Sequence, residues 1–109
     1  MSKLLLIKSQ GIEFNVRILN EGDKYGLNNC LTHESKKPLV EFYDNRFPHT
    51  EFGQFISRYY IDTILNMKNN EGLDLQGGVP DWKINATEMN SVVAWLKVEK
   101  NKNEIKMKI

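Results

Sequence analysis

The sequence predicts an α+β fold, in which an antiparallel sheet of three to four strands packs against two helices. Two observations lead to this prediction. A short apolar run is followed by apolar/polar alternation over 12–19, less clean at Leu19, which is typical of a β-hairpin with one buried face. Helical spacing of apolar residues comes later, over 51–67 and 86–97. Because the strands of the hairpin precede the helices, a parallel doubly wound sheet is not expected.

The length and composition indicate an ordinary globular domain spanning 1–109. Of the 109 residues, 40% are hydrophobic and 27% are charged, and the formal net charge of +1 argues against a general nucleic-acid binder. The single cysteine cannot form an internal disulfide, which fits a reducing compartment. No apolar run approaches the roughly 20 residues that a membrane span needs. We therefore expect a cytoplasmic protein without a membrane partner.

The first two strands are predicted at 3–8 and 12–19. Between them, Gly11 can adopt the positive φ that a tight hairpin turn requires. The following segment, 24–37, shows no clear period and is predicted to be a loop or a short irregular strand.

A further strand is predicted at 39–43, with Leu39, Glu41 and Tyr43 on one face. The main helix is predicted at 51–67. Thr50 is a suitable N-cap for it. The apolar residues that follow at helical spacing are Phe52, Phe55, Ile56, Tyr59, Tyr60, Ile64 and Met67.

The remaining chain predicts one short extended segment and a second helix. Trp82 and Ile84 share a face of the segment 81–84. Asn85 followed by Glu88 has the spacing of a helix cap, so a helix is predicted over 86–97. The last stretch, 99–109, alternates near its end and is predicted to be either an edge strand or a basic tail.

Two groups of residues are candidates for catalysis or metal binding. Cys30 and His33 have CxxH spacing, but a structural zinc site needs four ligands and the only other histidine is His49. A buried structural cysteine is the favoured interpretation. Glu41, Asp44 and His49 could form an acid–base set, although turn chemistry alone explains Asp44. We predict no catalytic residue, no metal site and no cofactor.

Arginine and aromatic residues, the usual anchors of protein interfaces, cluster between 42 and 60. The predicted surface joins the corner 44–49 to the polar edge of the helix 51–67, where Arg58 and Asp62 have the spacing of an i,i+4 pair. Tyr59 and Tyr60 are adjacent on the predicted helix, so their side chains cannot both point fully into the protein core. The predicted partner-binding residues are Asp44, Arg46, Phe47, His49, Arg58, Tyr59 and Tyr60.

Three segments carry a resemblance to known proteins: YGLNNCLTHESKKPLVEFYDNRF, FGQFISRYYIDTIL and GLDLQGGVPDW. Over 12–97 the chain resembles small proteins of phages and other mobile elements, among which anti-CRISPR and other anti-defence inhibitors are found. The resemblance implies inhibition through binding, and it assigns no functional residue.

These observations predict a small non-enzymatic interaction protein with a protein partner. Inhibition of a host defence complex is the form that the resemblance implies. One alternative is a small enzyme that uses the corner 41–49 with Cys30 or His33. Another is weak nucleic-acid binding through the lysine-rich tail 99–109. Since an alternating tail could add to the sheet edge of a second copy, a homodimer is also among the expectations.

Overall fold

A computed structural model describes residues 4–26, 33–75, 81–102 and 105. Its strands are β1 (Leu4–Ser9), β2 (Ile12–Leu19), β3 (Lys24–Tyr25), β4 (His33–Glu34), β5 (Leu39–Asp44), β6 (Gln54–Tyr60), β7 (Leu73–Asp74) and β8 (Lys83–Ile84). Its helices are α1 (Ile61–Leu65) and α2 (Ala86–Asn101).

The main sheet has four antiparallel strands in the order β1-β2-β5-β6. Two small hairpins, β3–β4 and β7–β8, accompany it. The predicted class, an antiparallel sheet with helices, therefore agrees with the structure in outline. The first hairpin is confirmed to within a residue, and its turn uses positive φ at Gln10 (54°) and Gly11 (80°).

The two faces of the sheet have different environments. The inner face carries Phe14, Val16, Val40 and Phe42, which are buried in one core cluster together with Met89, Val92 and Leu96 of α2. The outer face carries polar side chains and is covered in part by the turn 50–53 and by the β3–β4 hairpin.

Helix α2 begins where the capping pattern places it. The side chain of Asn85 accepts a hydrogen bond from the backbone N–H of Glu88 at 2.8 Å. The helix continues to Asn101, beyond the predicted end at 97, so an edge strand starting at 99 is wrong. Of the alternating part 104–109, only Ile105 lies within the described residues, and its side chain is buried.

The prediction of a helix over 51–67 is wrong for residues 51–60. Residues 54–60 form the edge strand β6, and only Ile61–Leu65 is helical. Thr50 does not cap a helix. Its hydroxyl instead accepts a hydrogen bond from the Phe52 N–H, in the turn that leads into β6.

The sequence of strand β6 has the apolar spacing of a helix because apolar residues lie on both faces of the strand. Ile56 is the extra residue of a β-bulge, since Phe42 pairs with Ser57 and the next residue, Tyr43, pairs with Phe55. The bulge shifts the two-residue period by one position, and burial on both faces removes the polar/apolar alternation. The β-branched and aromatic content of 54–60 was the signal that favoured a strand.

Candidate functional site

At the centre of the outer face lies a buried carboxylate, Glu41, with a side chain that is 2% exposed. It sits in register between Arg17 of β2 and Arg58 of β6. Arg17 Nη1 donates to Oε1 at 3.1 Å, and Arg58 donates to Oε2 through Nε at 2.9 Å and Nη2 at 2.8 Å. The Tyr43 hydroxyl donates to Oε1 at 2.7 Å. We call Arg17, Glu41, Tyr43 and Arg58 the Glu41 cluster.

Aromatic rings enclose the two guanidinium groups of this cluster. Arg17 lies 4.7 Å from the ring centroid of Phe52. Arg58 lies between the rings of Tyr25, at 4.2 Å, and Phe55, at 4.6 Å. Since Tyr25 belongs to β3, Arg58 fastens the β3–β4 hairpin to the sheet. The ring of His33 on β4 stacks on Tyr25 with centroids 5.3 Å apart.

The Tyr43 phenol gives the Glu41 cluster a pH-dependent component. Burial, together with the hydrogen bond and the negative charge of Glu41, raises the pKa of Tyr43 to about 12 from an ordinary value of 10.0. A raised folded-state pKa favours the protonated, neutral phenol. This contribution to stability is therefore complete below pH 10 and is lost as the pH rises from 10 to 12.

We expect the Tyr43→Phe variant to lose less stability than the wild type between pH 10 and 12. The shift of two pKa units corresponds to roughly 3 kcal/mol at the end of that window. Urea unfolding at a series of alkaline pH values measures it. Tyr60→Phe is the control, because Tyr60 is exposed. An equal alkaline loss in wild type and Tyr43→Phe would contradict the assignment.

A second buried carboxylate, Asp44, anchors the corner 44–49 from the inner side of β5. It accepts hydrogen bonds from Arg46, including Nη2 to Oδ2 at 2.8 Å, and from Trp82 Nε1 at 2.9 Å. Burial by itself would raise the pKa of Asp44, but the hydrogen bonds from Arg46 and Trp82 outweigh it and hold the pKa below its ordinary value. Asp44 therefore joins the corner 44–49 to Trp82, which directly precedes β8.

The structure divides the predicted partner-binding residues between two ends of the sheet. Asp44, Arg46, Phe47 and His49 lie together at the carboxyl end of β5, where Phe47 is 40% exposed. Tyr60 pairs with Leu39 at the opposite end of β5, about 17 Å away at the usual rise per residue. Arg58 lies between the two ends. Tyr59 points to the inner face, where its ring meets Phe42, whereas Tyr60 is 48% exposed.

Tyr60 borders an open cleft of about 760 Å³ between the β3–β4 hairpin and the end of β6. We call it the Tyr60 cleft. Its lining residues include Tyr25, His33 and Tyr60, the acidic residues Glu21 and Glu34, and the buried Leu39. A neighbouring hollow shares Tyr25, Leu39 and Tyr60 and also includes Arg58.

The proposed acid–base set is not assembled in one place. Glu41 faces outward and is bound by two arginines, whereas Asp44 faces inward and is bound by Arg46 and Trp82. The predicted Arg58–Asp62 pair is wrong, since Arg58 binds Glu41 and Asp62 pairs with Lys37 at 3.6 Å. Cys30 lies outside the described residues. Within the described residues, no group of three or more histidine, cysteine, aspartate or glutamate side chains could hold a metal ion.

Sequence reasoning missed the main features of the outer face. For Glu41 the sequence suggested an acid–base set rather than a buried ionic cluster, and Arg17, Tyr25, Glu21 and Glu34 were not singled out. A signal was available for the Glu41 cluster. Arg17, Glu41 and Arg58 each lie within a stretch that is otherwise rich in apolar and aromatic residues. A charged side chain that is buried within an apolar stretch needs a partner of opposite charge. Three such residues on three strands of one sheet are therefore expected to contact one another.

Comparisons with protein families, with characterised proteins and with solved structures found no match to this chain. In the part of the chain that the structure describes, no helix has the length and apolar character needed to cross a membrane.

Proposed function

We propose that this chain is a non-enzymatic protein-binding protein and that its partner docks on the Tyr60 cleft. The observation that carries the proposal is the pairing of this cleft with an exposed tyrosine at its rim. Tyrosine supplies a large contact area at a low cost in conformational entropy and is enriched among the residues that dominate binding energy.

The surroundings of the cleft support binding by a largely preformed surface. Tyr25 is held by Arg58, which is itself fixed by the buried Glu41. Lys37 lies over the ring of Tyr60 at 5.1 Å and pairs with Asp62. Side chains that are already ordered lose less conformational entropy when a partner binds.

The further proposal, that the partner belongs to a host defence complex which this chain inhibits, rests on the sequence resemblance alone. Inhibition by occupying a partner's surface needs no catalytic group, so it agrees with a binding role for the cleft.

We expect Tyr60→Ala to weaken capture of the partner by roughly 30-fold, the loss typical of an interface anchor. Pull-down from bacterial lysate, with mass spectrometry and then titration of the captured protein, measures it. Phe47→Ala is the matched control, because it truncates an exposed ring at the opposite end of the sheet. Loss of capture with Phe47→Ala but not with Tyr60→Ala would assign the interface to the corner 44–49 instead.

The inhibitory role has a separate test. Phage restriction by CRISPR effectors is measured in cells that express the wild type or the Tyr60→Ala variant. Relief of restriction by the wild type alone supports the proposal, and unchanged restriction with both proteins counts against an inhibitor of those effectors.

A further inference from the structure

We infer that the open edge of β1 pairs with β1 of a second copy of this chain, so that two four-stranded sheets join into one sheet of eight strands. This surface is separate from the proposed partner surface, because β1 and β6 are the two opposite edges of the main sheet. Pairing through β1 uses neither β6 nor the Tyr60 cleft, so a dimer of this kind goes beyond the proposed function and does not depend on it.

The hydrogen-bond pattern of the first hairpin determines which backbone groups of β1 face its partner strand. The turn 10–11 has two residues with positive φ, as in a type I′ hairpin, and in such a hairpin the flanking residues Ser9 and Ile12 form a hydrogen-bonded pair. The next residue of β2 agrees with this alternation. The carbonyl of Glu13 accepts from the Asn45 N–H, which lies on the side of β2 away from β1.

The alternation leaves a row of backbone groups at the outer edge of β1. Because every second pair of an antiparallel ladder is not hydrogen-bonded, Leu4, Leu6 and Lys8 direct their N–H and C=O groups away from β2. Among the described residues, no strand pairs with that side of β1. Such a row is a template for a further strand.

The side chains beside this row are mostly apolar and exposed. Leu4 is 49% exposed and Leu6 is 54% exposed. Their neighbours on β2 are Arg17 and Asn15, so the adjacent strand offers them no apolar contact. Charged residues, prolines and bulges usually protect an open edge, and in β1 only Lys8 is of this kind.

The register that engages the whole edge fits a second copy. With a two-fold axis at Leu6, that residue faces Leu6 of the second copy, and Leu4 faces Lys8 of the second copy. The leucines of both strands then form one apolar row, and the aliphatic part of each lysine can cover a leucine. The two lysines lie about 13 Å apart along the strands. A formal net charge of +1 for each chain adds little repulsion.

The first test is sedimentation velocity over a range of protein concentrations. One strand edge is smaller than a standard interface of roughly 1,600 Å², so we expect a weak dimer with a Kd of about 100 μM. The protein should then be mostly monomeric at about 10 μM and mostly dimeric at about 1 mM. A monomer at the higher concentration would overturn the inference.

Leu6→Lys tests the position of the interface, because it places two like charges opposite each other at the axis. We expect it to raise the Kd of the dimer by about tenfold or more. Val98→Lys is the matched control, since Val98 is also exposed, at 48%, but lies on α2. A dimer that survives Leu6→Lys, or that both variants weaken equally, would contradict pairing through β1.

Disulfide cross-linking tests the register, in a chain that also carries Cys30→Ser. The Cα atoms of a hydrogen-bonded antiparallel pair lie about 5.5 Å apart, which suits a disulfide. With oxidised glutathione as the oxidant, we therefore expect Leu6→Cys to form a covalent dimer. Leu4→Cys should do so far less, because its counterpart in the second copy is about 13 Å away along the strands. Equal cross-linking at the two positions, or more at Leu4, would overturn the proposed pairing.

Discussion

Replacing Glu41 by glutamine is expected to lower the free energy of unfolding by about 3 to 5 kcal/mol, the loss typical of breaking a buried ion pair from one side. The amide keeps the shape of the carboxylate but removes its charge. Arg17 and Arg58 would then share a site with no carboxylate to bind, although only 22% and 21% of their side chains reach solvent. Urea unfolding near neutral pH measures the difference.

Two further variants show whether charge is the cause. Glu13 is exposed on the neighbouring strand, so Glu13→Gln is expected to change stability by less than about 0.5 kcal/mol. The triple variant Arg17→Met/Glu41→Leu/Arg58→Met removes all three charges together and is expected to recover most of the loss, because well-packed apolar residues often replace a buried ionic triad without cost. A Glu41→Gln variant within about 1 kcal/mol of wild type would contradict the role of the carboxylate.

The same substitution connects the fold to the proposed binding surface. Arg58 contacts the Tyr25 ring while Glu41 binds its guanidinium group. We therefore expect Glu41→Gln to loosen the β3–β4 hairpin and weaken binding at the Tyr60 cleft, even at temperatures where the variant is folded. The triple variant would restore stability without restoring Arg58, so it separates stability from the shape of the cleft.

The elements that were predicted correctly are those whose sequence patterns involve residues close together in the chain. The β1–β2 hairpin follows from alternation over adjacent residues and from a turn glycine. The start of α2 follows from Asn85 and Glu88, which lie three residues apart. The strand at 39–43 was also predicted to within one residue. The hairpin and the helix start depend on contacts that are short in sequence, whereas the strand at 39–43 was predicted from its own apolar and aromatic residues although its pairing partners are distant.

The elements that the sequence did not predict depend on long-range contacts. Whether 54–60 is a strand or a helix was decided by pairing with β5, and the bulge at Ile56 concealed its period. Glu41 is buried because Arg17 and Arg58, distant by 24 and 17 residues, reach it from both sides. The Tyr60 cleft exists only because the β3–β4 hairpin docks on the sheet, and two-residue strands leave almost no periodic signal.

The turn before β6 depends on Gly53, and Gly53→Ala is the second substitution for which we expect a large loss of stability. Gly53 has a φ of 119°, where L residues are strained, and a Cβ atom there would overlap the carbonyl group of Asp44, at 2.9 Å from its carbon. The backbone N–H of Gly53 donates to Thr50 O at 3.2 Å, and its own carbonyl accepts from Thr50 N at 3.1 Å. These two hydrogen bonds close the turn 50–53 and fix the backbone conformation of Gly53 within it. We expect a loss of about 3 kcal/mol or more, measured by urea unfolding.

Gly11→Ala is the matched control, because it isolates backbone strain from steric overlap. Gly11 also has a positive φ, of 80°, but a Cβ atom at this position would meet nothing within 4 Å. Strain alone is expected to cost about 1 to 2 kcal/mol. The difference between the two variants then measures the overlap with Asp44 together with the greater backbone strain at the φ of 119°. Equal losses at the two glycines would mean that the β5–β6 turn relaxes freely, and that the close approach of Gly53 to Asp44 does not fix the start of β6.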